Sequence, residues 1–198
     1  MKKLLFTLCI SLSLLGFSQA KKDKAFDLEP KMRFGTFVPI EFGNTALNQF
    51  YKTPVGLDIN FTLFKLYNVE FTGGLSYTQY QFTPQPDFLY YTKSNQTLWY
   101  GQLGYAFKLN EKWDITPCFT LGFEKLTHKK NGDRLASQQG VVTRLGGYVD
   151  YHLGKVVSVY GGLHFSHTNY TLGESASRYR DLYHTSFATV LTLGFELN

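Results

Sequence analysis

Residues 113–127 read WDITPCFTLGFEKLT, and from the start every second position is apolar: Trp113, Ile115, Pro117, Phe119, Leu121 and Phe123. Between them stand Asp114, Thr116, Cys118, Thr120, Gly122 and Glu124, which are small or polar. A period of two places the first set on one face of a β-strand and the second on the other. An amphipathic helix would repeat every ~3.6 residues, and this stretch does not.

The same alternation runs outward in both directions. Eight segments carry it: 31–41, 54–63, 69–82, 97–109, 113–127, 141–153, 157–169 and 184–197. In the last seven the odd positions are apolar and hold one formal charge, Lys125. The even positions carry Asp58, Glu70, Lys108, Asp114, Glu124, Arg144, Asp150 and Glu196, together with many small residues. In the first segment the parity reverses, with Met32, Phe34, Val38 and Ile40 apolar and Arg33 on the polar face. Long polar links at 42–53, 83–96, 128–140 and 170–183 alternate with short turns at 64–68, 110–112 and 154–156. The pattern predicts one all-β domain, an eight-stranded antiparallel up-and-down β-barrel made of four hairpins. Pro39 and Pro117 fall inside strands, and a bulge or local break is expected near each.

The chain has 198 residues, of which 43% are apolar, 17% aromatic and 18% charged, a composition that excludes disorder. Its first twenty residues, MKKLLFTLCISLSLLGFSQA, join two lysines, an apolar run and small residues at the expected cut, the arrangement of a secretory signal peptide. Residues 21–30 read as a short charged tail and 31–198 as the barrel domain. Without Lys2 and Lys3 the mature chain holds 18 Lys+Arg against 15 Asp+Glu, a net +3 with no dense basic block, so nucleic acid is not a partner. Cys118 is the single mature cysteine and reads as a small packed residue. No stretch has the ~18 consecutive apolar residues of a spanning helix, so membrane entry would be by strands.

Periodicity leaves two orientations open: a water-soluble barrel with its apolar face inward, or a membrane barrel with that face outward. The interior of eight strands is just wide enough for side chains to fill, and the small even residues suit it better than the large odd ones. Short turns at one end and long loops at the other match membrane barrels. Trp99 and Tyr77 on one side, and Trp113 and Tyr151 on the other, form two aromatic girdles on the apolar face. The outward orientation is therefore expected.

With the signal peptide, the eight strands and a last strand, HTSFATVLTLGFELN, that closes the sequence, the chain resembles the small eight-stranded outer-membrane β-barrel proteins of Gram-negative bacteria, of the OmpX-like and OmpA transmembrane-domain types. The resemblance covers nearly the whole mature chain. It implies outer-membrane localisation with both termini periplasmic, contact with outer-membrane lipid and lipopolysaccharide, and no cofactor. It also implies that Leu193, Phe195 and Leu197 belong to a signal read by the barrel-insertion machinery.

Hairpins folded symmetrically about their turns predict that Lys108 faces Asp114, Glu124 faces Arg144 and Arg144 faces Ser166 on the inward side. The first two are candidate lumenal ion pairs, which would plug the lumen. His164 and Ser166, with Glu174 in the following link, resemble the His-x-Ser pair and later Glu of outer-membrane lipid A deacylases, in which Ser attacks an ester and His is its base. Tyr90 and Tyr91 in the second long link, and Arg178 and Arg180 in the last, are candidates for binding a surface ligand. His128, His152 and His184 stand singly, with no metal-ligand spacing. Three functional readings follow: a structural or surface-interaction barrel with a side-chain-filled lumen, a lipid-modifying ester hydrolase, and a secreted lipocalin-like carrier of an apolar ligand.

Overall fold

Each β-strand has backbone N–H and C=O groups that need partners on both edges, and a sheet leaves none open only when it closes on itself. A computed structural model of the chain describes residues 30–83, 92–171 and 183–197, with the backbone of 26–27, and it closes in this way. The wall consists of β1 (Met32–Phe42), β2 (Gly56–Leu66), β3 (Val69–Phe82), β4 (Lys93–Tyr105), β5 (Trp113–Lys130), β6 (Asp133–His152), β7 (Val157–Thr171) and β8 (Thr185–Leu197). Each pairs antiparallel with the next, and β8 returns to β1 with Leu197 opposite Met32 and Phe187 opposite Phe42. The expected eight-stranded up-and-down barrel is observed.

The two faces divide as the alternation requires. In β3 to β8 the even residues point inward, save before a bulge at the start of β6 that turns Arg134 outward, and in β1 the odd ones do, Arg33, Phe37 and Pro39 among them. The outer surface is a continuous apolar belt in which Phe123 is 72% exposed, Leu145 65% and Leu193 63%. In β2 the parity changes once, because a bulge between Thr62 and Phe64 lets Phe64 stack on the outward Phe71, with ring centroids 4.4 Å apart. One extra residue is enough to exchange the faces.

One of the expected links is not a link. Residues 128–140 continue β5 and β6, which meet at a two-residue turn, Asn131-Gly132, with φ of +50° and +102°. Asn-Gly in the left-handed region is the turn whose twist matches that of the flanking strands. The hairpin is therefore longer and tighter than the alternation alone suggested. Glu124 lies opposite Gly140, and Arg144 opposite Thr120.

Both prolines sit where one ladder stops. β1 pairs with β2 only as far as Phe37, two residues before Pro39, while its pairing with β8 continues to Phe42. Opposite Pro117 the strand β4 ends at Tyr105, and pairing with β5 resumes in the short segment Phe107–Lys108. Each proline thus has an edge that requires no N–H.

The connection between β1 and β2 folds back into the mouth of the barrel. It contains α1 (Ala46–Phe50), whose first turn is capped by Thr45 Oγ1 accepting from the Asn48 amide, and then Tyr51–Lys52, which pairs with the end of β3. Ala46, Leu47, Phe50 and Tyr51 are buried against the inward Tyr80, Leu126 and Tyr170. The residues assigned to the signal peptide lie outside the described residues.

Candidate functional site

The lumen is filled in three layers. At the short-turn end, Arg33 of β1 reaches two other strands: its Nη2 lies 3.1 Å from Asp150 Oδ1 and its Nε 2.6 Å from Glu196 Oε2. Lys31 Nζ lies 3.3 Å from Glu70 Oε1 and 3.7 Å from Glu196 Oε1. The guanidinium also stands over the rings of Tyr148 and Tyr160, 4.6 and 5.5 Å from their centroids. Five ionic side chains from β1, β3, β6, β8 and the residue before β1 thus form one connected group, with Arg33 2% exposed.

The middle layer is held by tyrosines crossing the lumen. Tyr100 donates to both oxygens of Asp58, at 3.0 and 2.9 Å, and Tyr148 and Thr120 both donate to Gln102 Oε1. The glycines opposite make room for the rings, since a Cβ on Gly74 would collide with Tyr100 Cζ. The small inward residues are thus the complement of large ones. A narrow polar cavity remains between Asp58, Tyr100, Gln102, Arg144, Tyr148 and His164.

At the long-loop end, Glu41 accepts from Tyr80 at 2.8 Å and from Ser186 at 2.6 Å, and Glu124 accepts from Tyr170 and Thr168. Above them Ser94 Oγ donates to Tyr51 Oη at 2.9 Å and lies 2.7 Å from His128 Nδ1. The apolar side of α1 closes this layer.

Several expected pairings are corrected by this geometry. Lys108 does lie opposite Asp114, but the break in β4 leaves it at the rim with an exposed side chain, and Asp114 Oδ2 is instead 3.0 Å from His152 Nε2. Glu124 and Arg144 are not partners, because the Asn131-Gly132 turn and the bulge beside it together move the register by four residues. Arg144 lies opposite Ser166 and donates to it through Nε at 3.3 Å.

His164 and Ser166 both point into the lumen. His164 Nε2 is 3.3 Å from Cys118 Sγ, its ring lies against Tyr148, and Ser166 is occupied by Arg144. The geometry does not join them into a base and nucleophile, nor turn them toward the outer surface. Glu174, Tyr90, Tyr91, Arg178 and Arg180 lie outside the described residues. Trp113 and Tyr151 meet on the outward face at the short-turn end, with centroids 4.7 Å apart, and Trp99 and Tyr77 are exposed on the same face farther toward the long loops.

The ionic group around Arg33 was not anticipated as a unit. Its members did stand on the polar face of the sequence pattern, yet β1 and β8 share no turn from which a register can be reckoned.

Neither a protein-family model nor a curated protein matches the chain. Among solved structures it is similar to Neisserial surface protein A, with 10% identity over 88% of this chain and 99% of that one and a TM-score of 0.65. It is also similar to a major outer membrane protein from Thermus thermophilus, with 13% identity over 85% of this chain and 98% of that one and a TM-score of 0.51. At such identities the likeness is one of fold, and the fold is that of the small outer-membrane β-barrels.

Proposed function

We propose that the protein is an integral outer-membrane barrel with both chain ends on the periplasmic side, acting as a structural or surface-interaction component rather than a diffusion pore. The observation that carries this reading is the inversion of its faces: an apolar belt surrounds all eight strands while Arg33, Glu70, Glu124, Asp150 and Glu196 are buried inside. Water-soluble monomers rarely expose a contiguous apolar patch above a few hundred Å², and a closed ladder is what lets strands cross lipid. A lipocalin-like carrier requires the opposite, an apolar cavity within.

In this reading outer-membrane lipid covers the belt. The insertion machinery reads β8, whose Leu193, Phe195 and Leu197 face outward. The ionic group below and α1 above fill the two ends of the lumen, which supports a plug over a channel.

Two measurements test the proposal together. The outer-membrane fraction should contain the protein as a band whose electrophoretic mobility changes on heating, and the purified barrel in planar bilayers should give no sustained conductance steps. A protein recovered only in soluble fractions contradicts the membrane assignment, and stable conductance steps contradict the plug.

A further inference from the structure

Beyond the apolar belt at the long-loop end, one side of the barrel carries a row of cations. Lys52 lies opposite Gln81, Gln81 opposite Lys93, Lys93 opposite Lys129, and Lys129 opposite Arg134. Residues directly opposite one another in a sheet share a face. The face is the outward one: Tyr51, Tyr80, Ser94 and His128, the chain neighbours of Lys52, Gln81, Lys93 and Lys129, are buried in the lumen, and the bulge opposite His128 and Lys129 brings Arg134 to the same face. With strands about 4.8 Å apart, Lys93, Lys129 and Arg134 occupy successive places within about 10 Å.

Such a row is unfavourable by itself, since like charges directly opposite each other destabilise a sheet. No carboxylate forms an ion pair with Lys52, Lys93, Lys129 or Arg134 among the described residues. Arg134 Nη2 donates to Ser137 Oγ at 2.6 Å, which fixes the guanidinium without neutralising it. Across the barrel at the same end the outward residues are Ile40, Phe42, His167, Asn169, Thr171, Thr185 and Phe187, with no lysine or arginine among them. The charge is thus gathered on β4 to β6 and on the short strand Tyr51–Lys52.

Height identifies the partner. Lys93 stands six positions beyond Trp99 on β4, about 20 Å along the strand and about 15 Å in elevation at a tilt near 40°. Phospholipid headgroups add only about 5 to 8 Å to each side of the hydrocarbon. Anions at the height of Lys93 must therefore be carried on a headgroup that extends farther, as sugars do. We infer that the row binds the phosphate or carboxylate groups on the saccharide of lipopolysaccharide in the outer leaflet, with Lys125 one step above Phe123 meeting the lipid-proximal anions. This rests on the reading of the chain as an outer-membrane barrel.

The test compares the full barrel with the triple variant Lys93→Gln, Lys129→Gln, Arg134→Gln, all outward positions that leave the lumen untouched. Both are placed in phosphatidylcholine vesicles, and insertion is scored first by heat-modifiable mobility. Binding is then measured for purified rough lipopolysaccharide, for a neutral glycolipid and for a soluble sulfated polysaccharide. The expected result is that the unmodified barrel binds lipopolysaccharide on the order of a hundredfold more tightly than the variant, at roughly fivefold per cation. That difference should shrink as salt rises, and the neutral glycolipid should bind both alike. Equal lipopolysaccharide affinity in the inserted variant overturns the inference and leaves the membrane assignment standing. Tight binding of the soluble polyanion without binding of lipopolysaccharide also overturns it. Failure of the unmodified barrel to insert overturns the membrane assignment, and the inference with it.

Discussion

At the short-turn end the lumen is closed by ions drawn from distant strands, Arg33 of β1 with Asp150 of β6 and Glu196 of β8, and Lys31 with Glu70 of β3, whereas at the long-loop end it is closed by Leu47, Phe50 and Tyr51 of a single connection. The first closure joins Arg33 of the first strand to Glu196 of the last and exists only once the ring is complete. The second is tied to the backbone of the wall only where Phe50–Lys52 meets the end of β3. One end therefore locks the barrel, and the other only covers it.

The comparison predicts the largest effect at Arg33. Arg33→Ala leaves Asp150 buried without its cation and Glu196 with Lys31 alone, at a cost of about 3 to 5 kcal/mol, read as a fall in unfolding free energy in urea. Arg33→Lys should recover only part of it, because an ammonium cannot reproduce the fork that reaches two carboxylates. A loss under about 1 kcal/mol in Arg33→Ala would mean that the ionic group is not the lock.

Phe50→Ala comes next and should act differently. Emptying its place under the cap costs about 3 kcal/mol locally, but the cost falls on the docking of α1 rather than on the ring. Hydrogen exchange should accelerate at residues 46–51 and stay unchanged across the β6 to β8 ladders. Acceleration in both places would show that cap and wall open as one unit.

The smallest effect is expected at Ser166, which lies between the two closures. Ser166→Ala removes one hydrogen bond from Arg144 and should change stability by about 1 kcal/mol or less. The acylation pattern of cellular lipid A should be the same with Ser166→Ala as without it. A changed pattern would reinstate an ester hydrolase.

The wall was legible in the sequence because it follows from a period of two, and residues such as Val149 and Tyr151 could be assigned to a face with no knowledge of their partners. The reversed parity of β1 was legible for the same reason, and it placed Arg33 inside. What alternation does not carry is register. Asn131-Gly132 is the local signal for the long hairpin, and alternation without it sets Glu124 against Arg144, when each has other partners. The ionic lock lay beyond reach for a different reason: Glu196 meets Arg33 across the seam between the first and last strands, where no turn relates one index to the other. The cap was hidden because α1 is too short for a helical period to stand out.

The central claim is that the apolar belt faces lipid while the charges face each other inside. The chain has only two tryptophans, Trp99 and Trp113, and both stand on the belt. The direct measurement is tryptophan fluorescence of the barrel in vesicles whose lipids carry bromine at chosen depths along the acyl chain. The account predicts strong quenching by bromine near the headgroups, weaker quenching by bromine at the bilayer centre, and little quenching by aqueous iodide. Quenching by iodide with no response to brominated lipid would contradict it.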